Sequence, residues 1–163
     1  MPRLSAGLLL YRLRGSSVQV LLVHPGGPLW AKRDAGAWSI PKGEYDPSES
    51  PLAAARREFA EETGCHPSGP FHPLLPLRQP SGKILKAWAV EGDADSDAIR
   101  SNRFYLEWPP RSGVRREFPE IDRAGWFDLQ GAREKLLPGQ RPLVDQLVRL
   151  LQARESAQAR CSA

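Results

Sequence analysis

Cysteine is nearly missing from this chain of 163 residues, with only Cys65 and Cys161. Two cysteines cannot build the disulfide framework of a small secreted domain. Histidine is almost as sparse. His24 and His72 stand alone, and His66 follows Cys65 with no second ligand pair at zinc spacing, so a packed cysteine beside a surface histidine is expected. No apolar run approaches the roughly 20 residues of a membrane-spanning helix. Met1-Pro2-Arg3-Leu4 leads toward a strand and carries no leader pattern, so a cytoplasmic location is expected. Pro25-Gly26-Gly27-Pro28 has the composition of a phosphate-binding loop but the spacing of neither a P-loop nor a dinucleotide fingerprint, and reads as a turn. Residues 91–97 are acidic but lack the closing glutamate of a calcium loop, so they read as solvated surface. No internal repeat is present.

What remains is the composition of a soluble globular protein, 40% hydrophobic and 26% charged, long enough for one domain with its own core. The net charge of +4 helps to steer an anionic small molecule; it is too small and too dispersed to imply nucleic-acid binding. Residues 5–12 (SAGLLLYR) and 18–24 (VQVLLVH), parted by Arg14-Gly15-Ser16-Ser17, read as a hairpin. Further strands are expected at 38–40, 83–90, 103–108 and 124–127, with irregular edge structure over the proline-rich 67–80. Asp128 is placed to cap a short helix ending near Leu137. Leu143, Leu147, Leu150 and Leu151 recur at helical spacing over 142–153, and the tail from about 154 is expected to fray.

One stretch, residues 43–65 (GEYDPSESPLAAARREFAEETGC), concentrates the chemistry. Ser50-Pro51 is a helix start, and Gly64 is a stop. At about 100° per residue, Leu52, Ala55 and Phe59 share a buried face. Glu58, Glu61 and Glu62 stand three and four apart on an adjoining edge, and Arg57 can reach back to Glu49. Carboxylates crowded on one edge repel unless a cation holds them, and hard oxygen donors of this kind suit a divalent cation. A solvated acidic helix face is the plain alternative.

The register of Gly43, Glu49, Arg57, Glu58, Phe59, Glu61, Glu62 and Gly64 resembles the Nudix box, G-x₅-E-x₇-R-E-U-x-E-E-x-G-U, with Cys65 a mild departure at the last apolar position. The resemblance implies an α/β fold, an α/β/α sandwich with a mixed central sheet. It also implies an enzyme that cleaves phosphoric anhydrides of nucleotides with Mg²⁺ or Mn²⁺. By the same resemblance Glu58, Glu61 and Glu62 bind metal together with the main-chain carbonyl of Gly43, which the 38–40 strand would deliver. Glu58 is also a candidate to hold the attacking water, and Glu49 and Arg57 support the site. Glu120, six residues before Trp126, resembles the general base of diadenosine tetraphosphate hydrolases, with Glu117 as the fallback.

Outside the box, Lys42 is expected beside the phosphate chain, and Arg111, Arg115 and Arg116 as a polyphosphate clamp. Trp30, Trp38, Tyr45 and Phe104 could form a base-stacking surface. The run Trp38-Ser39-Ile40-Pro41-Lys42-Gly43-Glu44 and the ending Glu120-x₅-Trp126-Phe127 resemble the diadenosine polyphosphate hydrolase branch, except that Glu44 stands where that branch often has histidine. The leading expectation is cleavage of a dinucleoside polyphosphate such as diadenosine tetraphosphate to ATP and AMP. A MutT-like nucleoside triphosphate pyrophosphatase is the nearest alternative, and the arginine cluster leaves room for diphosphoinositol phosphates. A non-catalytic ligand sensor or RNA-binding module is the alternative from another class; such degenerate members lose box glutamates, all of which are retained here.

Overall fold

Two long apolar strands set the frame of the protein, whose computed structural model describes residues 1–162. Strand β1 (Leu4–Arg14) turns at Gly15 into β2 (Ser17–Pro25), and the two pair antiparallel from Tyr11–Val20 to Arg14–Ser17. Both faces of β1 are covered: Ala6, Leu8 and Leu10 enter one core cluster and Leu9 and Tyr11 another. A strand buried on both sides reads as a continuous apolar run, which is why SAGLLLYR shows no polar alternation.

The remaining sheet is laid on this pair. Short β3 (Lys42–Glu44) pairs with the start of β1, and β4 (His72–Pro73) and β5 (Leu77–Arg78) both pair with β6 (Ile84–Glu91). Strand β6 runs parallel to β1 over eight residue pairs, and β9 (Ile121–Asp128) closes the far edge antiparallel to β2, giving the order β4-β6-β1-β2-β9. The sheet is therefore mixed. Strands β7 (Arg103–Glu107) and β8 (Arg115–Pro119) form a separate two-stranded hairpin between β6 and β9.

Helix α1 (Pro51–Thr63) packs Ala54, Ala55 and Phe59 onto one face of the sheet. Helices α2 (Leu129–Lys135) and α3 (Pro142–Cys161) cover the other through Ala132, Leu143, Val144 and Leu147. This is the α/β/α sandwich implied by the sequence.

Local chemistry sets several of the helix ends. Gly64 closes α1 in the left-handed region at φ 77° and donates its N–H to Ala60 O. Asp128 accepts from Gly131 N at 2.7 Å as the cap of α2. Ser50 holds the cap position of α1 in extended backbone, but its side chain makes no cap hydrogen bond.

Three expectations need correction. Residues 38–40 form only isolated bridges, Ser39 to Val23 and Trp38 to Leu136. Arg115 and Arg116, expected in a polyphosphate clamp, stand instead in strand β8. Regular helix also extends past residue 154 to Cys161, because residues 154–160 are mostly good helix formers and Arg154 Nη1 donates to the buried Tyr11 hydroxyl at 2.8 Å. Ala163, the end of that expected frayed tail, lies outside the described residues.

Candidate functional site

The carboxylates of α1 are organised by one guanidinium. Arg57 donates from Nε to Glu49 Oε1 at 2.9 Å and from Nη2 to Glu49 Oε2 at 3.0 Å, a two-pronged pair that staples the entry loop to the helix. Its Nη1 donates to Glu58 Oε1 at 2.8 Å and Glu61 Oε1 at 3.2 Å. Two carboxylates one turn apart thus converge on a single cationic nitrogen. The Glu49 bonds, then those to Glu58 and Glu61, hold the Arg57 pKa well above its ordinary value, and the same guanidinium lowers that of Glu49.

Gly43 is fitted to this arrangement. Strand β3 seats it opposite Ala6 of β1, and a Cβ at this position would overlap the Glu58 carboxylate. A side chain here would displace that carboxylate. Beside it, Lys42 N donates to Glu62 Oε2 at 3.1 Å, so β3 grips the end of the acidic edge through its backbone.

Burial raises the pKa of Glu58, partly offset by Arg57, with the Glu61 and Glu120 charges adding to the rise. Glu62 is pushed up to about 8, first by desolvation, against the pull of Lys42 and with a smaller push from Glu58 and Glu120. Charges enclosed in this way seek a cation.

A cavity of about 200 Å³ opens next to Glu62. Lys42, Glu62 and Glu120 supply its charged lining, and Val23, Trp30, Ala37 and Leu137 supply apolar walls. The structure therefore brings Glu120 from the β8–β9 junction to the same place as Lys42 and the box. Glu117 is drawn elsewhere, ion-paired to Arg103 Nε at 2.9 Å on the hairpin.

Several outer residues are not where the sequence placed them. Trp38 is 5% exposed and Tyr45 9%, each packed in a core cluster, so neither offers a stacking face in the cavity. Trp38 instead meets His24 and Phe127 edge-on, and Phe104 stacks on Phe118. Of the four aromatic candidates, Trp30 lines the cavity.

Arg111, Arg115 and Arg116 do not close into a clamp. Arg115 and Arg116 face Glu107 and Leu106 across the hairpin, and Arg111, exposed at φ 62°, lies in the tip. At about 3.3 Å per residue, Arg115 is roughly 17 Å along the strand from Glu120. Glu44 also faces away, paired with Lys83 at 2.6 Å and Arg3 at 3.1 Å.

Sequence reading passed over two buried groups. Gln140 is fully buried, accepting from Ile40 N at 3.0 Å and donating to Ser39 Oγ at 2.9 Å, which fixes the segment entering β3. His24, also fully buried, bridges Asp122 and the carbonyl of Arg33. The available signal was a polar side chain ending the apolar run Val20-Leu21-Leu22-Val23.

The chemistry of the donors suits a hard divalent cation: Glu58 and Glu61 converge on a positive nitrogen, and Glu62 is a carboxylate on the same helix edge. Among the described residues no three acidic, histidine or cysteine side chains are grouped so as to hold a metal ion by themselves. An ion here would complete its shell with water or substrate oxygens, as magnesium usually does. No helix among the described residues is long and apolar enough to cross a membrane.

Comparison with known proteins agrees with this geometry. The octanoyltransferase of Myxococcus xanthus is 29% identical over 135 residues, covering 83% of this chain but 33% of that protein, so the chain spans a third of its length. An RNA pyrophosphohydrolase of Rhodospirillum rubrum is 27% identical over 153 residues, covering 90% of each chain. Among solved structures, a C. elegans Ap4A hydrolase in a binary complex shares the fold, with a TM-score of 0.64 at 21% identity over 91% of this chain and 98% of that one. The NUDIX domain model matches residues 1–147, and with the box geometry on β3 and α1 this shows that the chain belongs to the Nudix hydrolase family.

Proposed function

We propose that the chain is a metal-dependent pyrophosphohydrolase that cleaves a nucleoside diphosphate-linked substrate, a dinucleoside polyphosphate such as diadenosine tetraphosphate. The observation that carries this reading is the junction of the Arg57-centred carboxylates with a cavity that presents Lys42, Glu62 and Glu120 on one side and the indole of Trp30 on another. Phosphates lie along Lys42, and the nucleoside enters the apolar part of the cavity.

Glu58, Glu61, Glu62 and the Gly43 carbonyl would hold the cation, which when bound neutralises charge on the bridging phosphates. Glu120 accepts a proton from water as its oxygen bonds to phosphorus. The bond from phosphorus to the bridging oxygen breaks, and the leaving nucleotide departs as a phosphate anion. Lys42 counters the charge gathered there, and Arg57 with Glu49 keeps the acidic edge in register. A general base must lie within reach of the water it deprotonates, and Glu120 lines the cavity where Glu117 does not.

A second reading is favoured by one finding. The relative from Rhodospirillum rubrum, matched over 90% of both chains, is named an RNA pyrophosphohydrolase, which makes the 5′-triphosphate end of RNA an alternative substrate. Product identity separates the readings. ATP plus AMP from diadenosine tetraphosphate, at a kcat/KM above that for nucleoside triphosphates and 5′-triphosphorylated RNA, supports the first. Preferential release of pyrophosphate from RNA establishes the second, and preference for a free triphosphate establishes a MutT-like activity.

A further inference from the structure

His24 is fully buried where β2 leaves the sheet, at the irregularity in its pairing with β9. Both ring nitrogens meet oxygens that can only accept: Nε2 lies 2.6 Å from the Arg33 carbonyl, and Nδ1 lies 2.7 Å from Asp122 Oδ1. A neutral imidazole donates from one nitrogen only, so the second bond needs a second proton, held between Nδ1 and the carboxylate.

The two acceptors stand close in sequence to different residues that line the cavity. Arg33 ends a turn that starts at Trp30, its N–H bonded to Trp30 O at 2.9 Å, and Asp122 follows Glu120 by two residues. Pro25, Trp30, Glu120 and Ile121 all line the cavity, and Gly26 N donates to Glu120 O at 2.8 Å.

The other charged groups around the ring leave this bridge in place. Arg123 Nε stands 3.7 Å from Asp122 Oδ1, with its guanidinium over the Trp38 ring. Trp38 meets His24 edge-on, and Asp34, which accepts from the Trp38 indole, is itself paired with Lys135.

We propose that His24 is a positioning residue for substrate: bonded at both ring nitrogens, it fastens the loop that carries Trp30 to the strand that carries Glu120, and so fixes the width of the cavity. This rests on the reading that the cavity receives the nucleotide. The fastening itself is independent of that reading.

The test uses Asp122→Ala and Asp122→Asn, because an asparagine amide can donate to the bare Nδ1 of a neutral ring and restore the bridge without the extra proton. With diadenosine tetraphosphate, D122A raises KM about tenfold, as expected for one lost charge-assisted hydrogen bond, with kcat within about twofold, and D122N returns KM to near the wild-type value. Hydrogen exchange of residues 26–36 in the ligand-free protein is faster in D122A than in the wild type but not in D122N. Wild-type KM and exchange in D122A overturn the proposal. If no phosphoric anhydride is cleaved, the substrate reading fails, while the exchange measurements still decide on the bridge.

Discussion

The acidic edge of α1 and the β7–β8 hairpin are both charged, and they differ in what surrounds the charge. In the first, every named group is held: Arg57 by Glu49, Glu58 and Glu61, Glu62 by the Lys42 amide, and Glu58 against Gly43. In the second, Arg111, Arg115 and Arg116 are exposed, and the hairpin is fixed by Phe104 stacked on Phe118, Arg103 paired with Glu117 and Arg115 over Tyr105. Enclosed charges act at full strength on whatever binds beside them, whereas exposed ones are screened over about 8–10 Å of salt solution. Catalysis should therefore depend steeply on the first region and weakly on the second.

The largest expected effect is at the acidic edge. Glu61→Gln or Glu62→Gln lowers kcat at least ~100-fold in saturating magnesium, since the chemistry is mainly charge stabilisation; near-wild-type turnover in both would remove the box from the mechanism. Gly43→Ala follows. The new methyl overlaps the Glu58 carboxylate and pushes it from its place beside Arg57. A displacement near 1 Å costs up to ~100-fold, and a fall of about 30-fold in kcat is expected with the fold intact by circular dichroism. An unchanged rate would show that Glu58 has no work to do at that place.

The hairpin supplies the contrasting arm. Replacing Arg111, Arg115 and Arg116 together by alanine should change kcat/KM for diadenosine tetraphosphate less than about threefold at physiological ionic strength. A loss of tenfold or more, with kcat retained, would mean that the hairpin folds over the substrate and that the two regions form one site. Repeating the measurement with 5′-triphosphorylated RNA sharpens the comparison. A polyanion reaching roughly 17 Å from Glu120 meets those arginines, and its salt dependence would then flatten in the triple variant.

What was legible in the sequence follows the same division. The box could be read residue by residue because its function demands fixed spacing on one helix, and helical geometry converts spacing into position. The sandwich was legible chiefly through the resemblance of the box to the Nudix family, with the order of strands and helices and the leucine repeat of α3 in support. Strand β8 was not, because Arg115-Arg116-Glu117-Phe118 carries no apolar alternation and is held by cross-strand pairs with β7 that no local pattern reports. Trp38 and Tyr45 were candidates for substrate contacts although core or rim was the readier reading of each, and packing against residues far along the chain places both in the core. Glu120 could be named but not located: its approach to Lys42 and Glu62 depends on Gly26 accepting the close passage of Pro119. His24 and Gln140 are fixed by partners about a hundred residues away.

The smallest effect expected lies at the rim of the enclosed region, in the Glu49–Arg57 pair. Hydrogen bonds from Arg57 lower the Glu49 pKa below its ordinary value in the folded protein. A carboxylate whose pKa is depressed on folding contributes stability above its unfolded pKa and loses that contribution as the pH falls through its folded pKa. Glu49→Gln should therefore lower Tm by a few degrees near neutral pH, and the gap to wild type should shrink as the pH is taken below about 4. The pair is partly exposed, at 39% for Arg57 and 30% for Glu49, so solvent weakens it and the shift stays small. Its effect on rate acts through Arg57, which without Glu49 is free to lean further onto Glu58 and Glu61 and to compete with the cation. The magnesium concentration for half-maximal activity should rise in E49Q while kcat at saturating magnesium stays within about threefold. A magnesium dependence identical to wild type would leave Glu49 as a loop staple alone, and would put the boundary of the catalytic region at Arg57.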